Sequence, residues 1–488
     1  MAAKKKEKIG VLFASFEAVP FLKTGGLGDV AGSLPKALKA QGYDVRVVLP
    51  KVSVIPDKYK EKMKHLKDFY FPLSWRSVYC GIEEYTLKGI TYYFIDNEYY
   101  FKRDGIYGYF DDGERMAYFS KAVCEIIPYI PDFDCRILHC QDWHTALAPV
   151  FLRECYRGQA IYERIKSIYT VHNLKFQGQM SDYVLGDILG LNEVPAANSQ
   201  LHIDRDTINF MKGALLYSDI ISTVSPTYAQ EIQNPFFGEH LERIFQRRWS
   251  TLWGILNGID TDFFNPEKDK AIEENFSVHD LTGKKECKKA LQNEFCLEEN
   301  EDIPVVIMVG RLTQQKGLDL LACVLDEMLL KPMQLIILGT GDQEYEWMLK
   351  NAEYRHPDKM RVCLNFDEKL SHRMYAGADI LLMPSLFEPC GLTQMIAMRY
   401  GTLPVVRQTG GLRDSVSCYN EYTGEGTGFG FNNYNAHELL YTMQHAIDLF
   451  TDNKDTWYSL VEQAMNQDFS WDNAAKTYDE MYKEVLKL

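Results

Sequence analysis

Two cations in one loop are a chemical signal in a chain that is otherwise acidic. The sequence carries 53 Lys and Arg against 68 Asp and Glu, a net charge of −15, so no basic face for nucleic acid is expected. In GRLTQQKG (310–317), Arg311 and Lys316 follow the apolar run PVVIMVG, and at the open end of a sheet such a pair reads as a diphosphate clamp. In FEPCGLTQ (387–394), Glu388 stands at the end of the DILLMPS run, and Gly391, Leu392 and Thr393 begin a helix. The free N–H groups of a helix start suit phosphate. In KTGGLGDV (23–30), backbone at Gly25 and Gly26, a helix N-terminus and Lys23 offer a phosphate cradle; a strand-to-helix turn that simply needs glycine is the plainer reading.

Other polar groups suit sugar. HCQDWHTAL (139–147) sets His139, Asp142, Trp143 and His144 at a strand end, an aromatic plane for a sugar ring beside short groups for hydroxyls. TVHN (170–173) repeats the theme with His172 and Asn173. As a zinc site the first motif lacks a second ligand pair. The D-x-D matches at Asp204 and Asp206 and at Asp260 and Asp262 end no convincing strand, so no metal is expected.

These residues need a scaffold that gathers strand ends. At 488 residues the chain exceeds one ordinary core. IGVLFASFE, a Gly-rich loop, a helix stopped by Gly42 and DVRVVLP make a β-α-β unit, continued by RILHC, KSIYTVHN and DIISTVS. The pattern restarts at PVVIMVG and runs through QLIILGTG, RVCLNF, DILLMPS and TLPVVR. Alternating strands and helices imply parallel sheets covered on both faces. The expected division is an N-terminal domain at 1–256, a second doubly wound domain at 257–470 with a hinge at 257–260, and a last helix at 471–488. Ligands of such sheets bind beyond the carboxyl ends of the strands. TGGLGD at 24–29 returns as TGGLRD at 409–414, each after such an end, as if lining two walls of a cleft. The basic run KKKEK at 4–8 reads as a solvated tail, no span of about 20 apolar residues marks a membrane helix, and eleven scattered cysteines point to reduced thiols in a cytoplasm.

Taken together, KTGGLGDV, HCQDWHTAL, TVHNLKFQG, LNGIDTDFF, GRLTQQKGLDL, FEPCGLTQ and VRQTGGLRDSV resemble the bacterial glycogen synthase and plant starch synthase family, in order from Ile9 to about Phe431. The resemblance implies an α/β fold of two facing Rossmann-like domains (the GT-B arrangement) with a deep interdomain cleft, and a final helix that returns to the first domain. It implies transfer of glucose from ADP-glucose to the nonreducing 4-OH of an α-1,4-glucan, with retention and without metal or organic cofactor. Its partners would be that donor and that glucan, with no nucleic acid, membrane or obligatory protein.

Carried over by position, Lys23 with the Gly25 and Gly26 backbone would hold donor phosphate, and Arg311 with Lys316 the departing diphosphate. Glu388 would hold glucosyl hydroxyls near the reacting carbon, and Gly391, Leu392 and Thr393 would give N–H groups to phosphate. His172 and Asn257 are implied contacts to the transferred sugar, Asp142 a polar group near the reacting centre, and Phe366 the ring that stacks on the base. Where wider two-domain glycosyltransferases often carry a second Glu, eight residues after the first, this chain has Ile396, as glycogen and starch synthases do.

The residues leave UDP-glucose open beside ADP-glucose, and a same-face route open beside a covalent intermediate. A nicotinamide oxidoreductase would need spaced glycines and an acidic residue after the second strand, which instead ends in Pro50 and Lys51. A catalytically dead glucan-binding protein would be expected to lose Lys23, Arg311, Lys316 or Glu388, and all four are present.

Overall fold

A computed structural model of the chain describes residues 8–488, so the run at 4–8 lies outside the described residues except for Lys8, which is exposed. The runs GVLFA (Gly10–Ala14) and QLIIL (Gln334–Leu338) are buried at all five positions, as strands covered on both faces must be. The chain forms two compact units. The first takes the chain up to Val224, then Ala229–Gly258 and Trp471–Leu488; the second takes Ser225–Tyr228 and Ile259–Ser470.

The first unit holds a nine-stranded sheet in the order Leu252–Gly254, Ile220–Thr223, Lys166–Val171, Cys135–Gln141, Gly10–Ala14, Asp44–Pro50, Ile90–Asp96, Arg76–Leu87, Lys64–Leu73. The first seven are parallel, and the last two pair antiparallel. The all-parallel sheet expected from sequence therefore ends at this hairpin. Lys64–Leu73 is an edge strand exposed at most positions, so it lacks the continuous apolar run that marks five of the parallel strands in the sequence; Ile90–Asp96, which has such a run, and the three-residue strand Leu252–Gly254 were passed over.

Helix Gly26–Ala40 follows the first strand and buries Leu27, Val30, Ala31, Leu34 and Leu38, a helical stripe at three- and four-residue steps. Gly25 is its N-cap and Gly26 its first residue, so the Gly-rich phrase belongs largely to the helix start rather than to a loop before it. The last helix, Trp471–Leu486, packs on this one. Tyr43 donates its hydroxyl to Asp479 Oδ1 at 2.8 Å.

In the second unit six parallel strands run in the order Met360–Cys363, Gln334–Leu338, Val305–Val309, Ile380–Met383, Leu403–Arg407, Phe429–Phe431. The polar stretch before it contains a helix, Thr282–Glu294, which buries only Gly283, Cys287, Lys288, Leu291 and Gln292. Two of those five are polar and one is glycine, which is why hydrophobic periodicity does not announce it. Among the described residues no helix is long and apolar enough to cross a membrane.

Candidate active site

In the second sheet the chain order reverses beside Val305–Val309, which has Gln334–Leu338 on one side and Ile380–Met383 on the other. Loops diverge at such a switch point and leave room for a ligand. The loop after Val305–Val309 carries Arg311 and Lys316, and the loop after Ile380–Met383 carries Glu388. The two are laced together: Leu386 donates its N–H to Gln315 O at 2.9 Å, and Lys316 Nζ meets Glu388 Oε2 at 2.5 Å. Ser385 Oγ donates to the same carboxylate oxygen at 3.2 Å. Glu388 is 6% exposed, so its charge is nearly desolvated and Lys316 is its compensating partner. Arg311 is exposed and makes no ion pair among the described residues.

Glycine is what lets these loops meet. Gly317 has φ +76°, and a Cβ there would lie 2.1 Å from Pro384 O. The second TGGL phrase does the same on the other side: Cβ atoms at Gly410 and Gly411 would lie 2.0 Å from Glu388 O and 2.1 Å from Cys390 O. Gly411 N–H donates to Glu388 O at 3.0 Å. Below, Arg407 is buried and donates to Ser385 O at 2.8 Å and, through its other arm, to Leu386 O. Gly391, at φ +72°, leads into helix Thr393–Arg399, capped by Leu392. Ile396 N–H makes the bond to Leu392 O, which leaves the N–H groups ahead of it outside the helical ladder.

The first sheet reverses beside Gly10–Ala14, between Asp44–Pro50 and Cys135–Gln141. Asp142, just past the latter strand, has φ 56°, a conformation uncommon outside glycine. Its Oδ1 accepts the His172 N–H at 3.2 Å. Burial raises its carboxyl to about 7, against the opposing backbone hydrogen bonds from His172 and Asn173. Burial also lowers His172 to about 3, so its imidazole is neutral at working pH. His172 Nε2 lies 2.8 Å from Gln141 Oε1, the orientation of a ring nitrogen that carries its proton toward the amide oxygen.

A family model described as starch synthase catalytic domain matches residues 10–247, and one described as glycosyl transferases group 1 matches residues 291–457. A glycogen synthase of Bacillus cereus is 51% identical over 479 residues, covering 98% of this chain and all of that one. The chain belongs to the glycogen synthase family. A second member, from Anoxybacillus flavithermus, is 50% identical over 476 residues, 98% of each chain. The catalytic domain of Starch Synthase IV from Arabidopsis thaliana, bound to ADP and acarbose, superposes with a TM-score of 0.90 at 33% identity, covering 99% of this chain and 100% of that one. A sucrose-phosphate synthase from Thermosynechococcus elongatus shares the fold, at a TM-score of 0.60 and 17% identity over 98% of this chain and all of that one. The architecture is thus the two-domain GT-B fold of Rossmann-like units.

Within this glycogen synthase family fold, the predicted groups are distributed as follows. Lys316, Glu388 and the Gly391 to Thr393 turn gather at the second switch point, with Arg311 in the same loop. Asp142 and His172 meet on the first unit. Lys23, Gly25 and Gly26 are exposed on the adjoining loop, where Lys23 pairs with Asp29 at 2.8 Å. Asn257 is 5% exposed, and its Oδ1 is buried without a partner among the described residues. Phe366 is 85% exposed, past the edge strand Met360–Cys363, two strand spacings or roughly 10 Å from Val305–Val309.

His139 is a correction to the sugar-facing reading of its motif. It is fully buried, with Nδ1 2.7 Å from Tyr482 OH and Nε2 2.7 Å from Thr170 Oγ1, a satisfied core residue. His144 is buried too, in a three-ring cluster with Phe16 and Tyr107. Both D-x-D matches close turns: Asp204 Oδ1 accepts from Asp206 N–H at 2.9 Å and Asp260 Oδ1 from Asp262 N–H at 3.0 Å.

Sequence reading passed over Glu17. It is 3% exposed, takes Thr24 N–H and Oγ1, each at 2.6 Å, and Tyr107 OH at 2.7 Å, and so fixes the Lys23 loop. A carboxylate ending the IGVLFASFE run was the available signal.

Proposed function

We propose that the chain elongates an α-1,4-glucan by transferring glucose from ADP-glucose to the nonreducing-end 4-OH with retention of configuration. The Lys316–Glu388 pair at the second switch point carries this reading. It sets a cation for a departing diphosphate beside a carboxylate for sugar hydroxyls, with unladdered N–H groups adjoining. The starch synthase relative bound to ADP and acarbose supports adenosine in the donor and a glucan as acceptor.

As the C1–O bond to the diphosphate breaks, its electron pair leaves with ADP, and Arg311 and Lys316 stabilise the growing charge. Glu388 holds the glucosyl hydroxyls, and Gly391, Leu392 and Thr393 donate to phosphate. On the first unit Lys23 with Gly25 and Gly26 adds to the phosphate contacts, His172 and Asn257 hold the sugar, and Asp142 lies near the reacting carbon; Phe366 stacks on adenine. The acceptor O4 bonds C1, and its proton passes to the departing phosphate oxygen. One oxygen of Glu388 is held by both Lys316 and Ser385, the setting of a group that positions the sugar rather than of a free nucleophile. That favours the same-face route. No metal or organic cofactor is assigned. We place the reaction in a cytoplasm because all eleven cysteines are free thiols.

Initial rates on glycogen with ADP-glucose and UDP-glucose side by side test the donor; faster turnover of UDP-glucose overturns it. Glu388→Gln should lower kcat roughly 10²- to 10³-fold with little change in Tm. Near-normal turnover removes Glu388 from the reaction.

A further inference from the structure

Among the exposed aromatics of the first unit, Trp75 is unusual in being held on two sides. Trp75 is 74% exposed, yet a carboxylate and a cation orient it; Tyr183, 65% exposed, opens the short helix that ends in that carboxylate. Asp187 accepts Trp75 Nε1 at 2.9 Å and Arg76 Nη2 at 2.6 Å. The Arg76 guanidinium lies over one face of the Trp75 ring, 4.3 Å from its centroid. These donors, Arg76 first, pull the Asp187 carboxyl down to about 2, so it stays charged. An ordinary surface aromatic needs no explanation. A tryptophan fixed from one side by a cation and from its edge by a carboxylate has lost rotamer freedom while its other face stays in water.

The backbone is fixed as well. Ser74, at the hairpin tip, has φ 53°, which costs conformational energy in a non-glycine residue. Its Oγ donates to Gly186 O at 2.9 Å, which ties the tip to helix Tyr183–Asp187. The tip also has a telling position. Gly81 pairs with Asp96, the last residue of its neighbour, and the strand begins five residues earlier at Arg76. Trp75 therefore projects past the carboxyl edge of the sheet, where Asp142 and His172 stand. Four strand spacings, roughly 19 Å, separate this strand from Cys135–Gln141.

We propose that Trp75, set by Asp187 and Arg76, together with Tyr183 at the start of the helix that ends in Asp187, forms a second, noncatalytic platform for the α-glucan chain. An open ring face beside polar groups matches a sugar's C–H face and its hydroxyl rim. A neutral polysaccharide also suits a protein of charge −15, whereas an anionic partner is repelled. This reading rests on the proposed glucan acceptor: a long chain whose end is at Asp142 can lie on the platform, and a short oligosaccharide cannot reach it.

The test pairs donor-free glycogen binding, by retardation in glycogen-containing native gels, with kinetics on glycogen and on maltotriose. Trp75→Ala and Tyr183→Ala should each weaken retardation and raise the glycogen KM roughly 3- to 10-fold. For both, kcat and the maltotriose KM should be unchanged. Trp75→Phe should recover part of the loss and guards against misfolding of the alanine variant, with Tm as control. Unchanged glycogen retardation and KM overturn the platform. Equal loss on both acceptors assigns the ring to the reacting centre and overturns it too. Retardation by an unrelated protein ligand but not by glycogen would mark a protein-docking surface instead. Because retardation needs no donor, a wrong donor assignment leaves this outcome readable.

Discussion

Asp142 combines a raised carboxyl with a strained backbone, and the two make opposite demands on stability and activity. With a folded value near 7 and an ordinary value of 3.8, the folded state holds a proton between those limits that the unfolded chain has released. Stability from this group is thus greatest in acid and falls as pH rises through 7; above 7 the buried charge costs on the order of 4 kcal/mol. Asp142→Asn removes that cost. Its unfolding free energy in urea should exceed that of the parent protein at pH 8, and the difference should shrink toward pH 4. At the same time kcat/KM should lose an acid limb with an apparent pKa near 7. A stability difference that does not vary with pH would show that Asp142 is not titrating in the folded protein.

At the scale of elements, the repeated TGGL phrase has two different uses. In the first unit it opens a long helix and exposes its backbone and Lys23. In the second it opens the short helix Gly410–Ser415 and packs under the Glu388 to Cys390 loop with no room for a side chain. Gly411→Ala would have to displace that loop, which overpacking costs of roughly 1–3 kcal/mol describe. Because Glu388 lies in the displaced segment, turnover should fall at least about tenfold while glycogen retardation is retained. A variant of normal kcat and unchanged Tm would mean that the loop yields freely. Gly25 offers a contrast, since a Cβ there would meet open space and Gly25→Ala should leave Tm nearly unchanged.

For the whole molecule, acid is the exposed flank. His139, His144 and His172 are each lowered to about 3 by burial, against an ordinary value of 6.5. Each therefore contributes stability that is complete above pH 6.5 and is lost as pH falls toward 3. Three such groups, opposed by Asp142, give a net loss of about 3 kcal/mol per pH unit below 6. Against a total of roughly 5–15 kcal/mol, the first unit should unfold between about pH 3 and 5, as followed by circular dichroism. Unchanged unfolding free energy from pH 7 to 4 would show that the histidines are hydrated when protonated.

Most strands and the turns after them could be read directly from the chain because their causes are local. A run such as GVLFA is buried because of its own composition, and the glycines of KTGGLGD stand at the start of the helix that follows it. The hairpin Lys64–Leu87 escaped because an edge strand keeps a wet face, and helix Thr282–Glu294 because its buried stripe is partly polar. Pairings between distant segments were not readable at all. Lys316 and Glu388 are 72 positions apart and His139 and Tyr482 are 343 apart; whether such groups meet depends on strand order, which no local pattern encodes. So the residue types set the chemistry on offer, and the switch points of the two sheets chose the partners: Lys316 received a carboxylate, Asp142 the backbone N–H of His172, and His139 a place in the core.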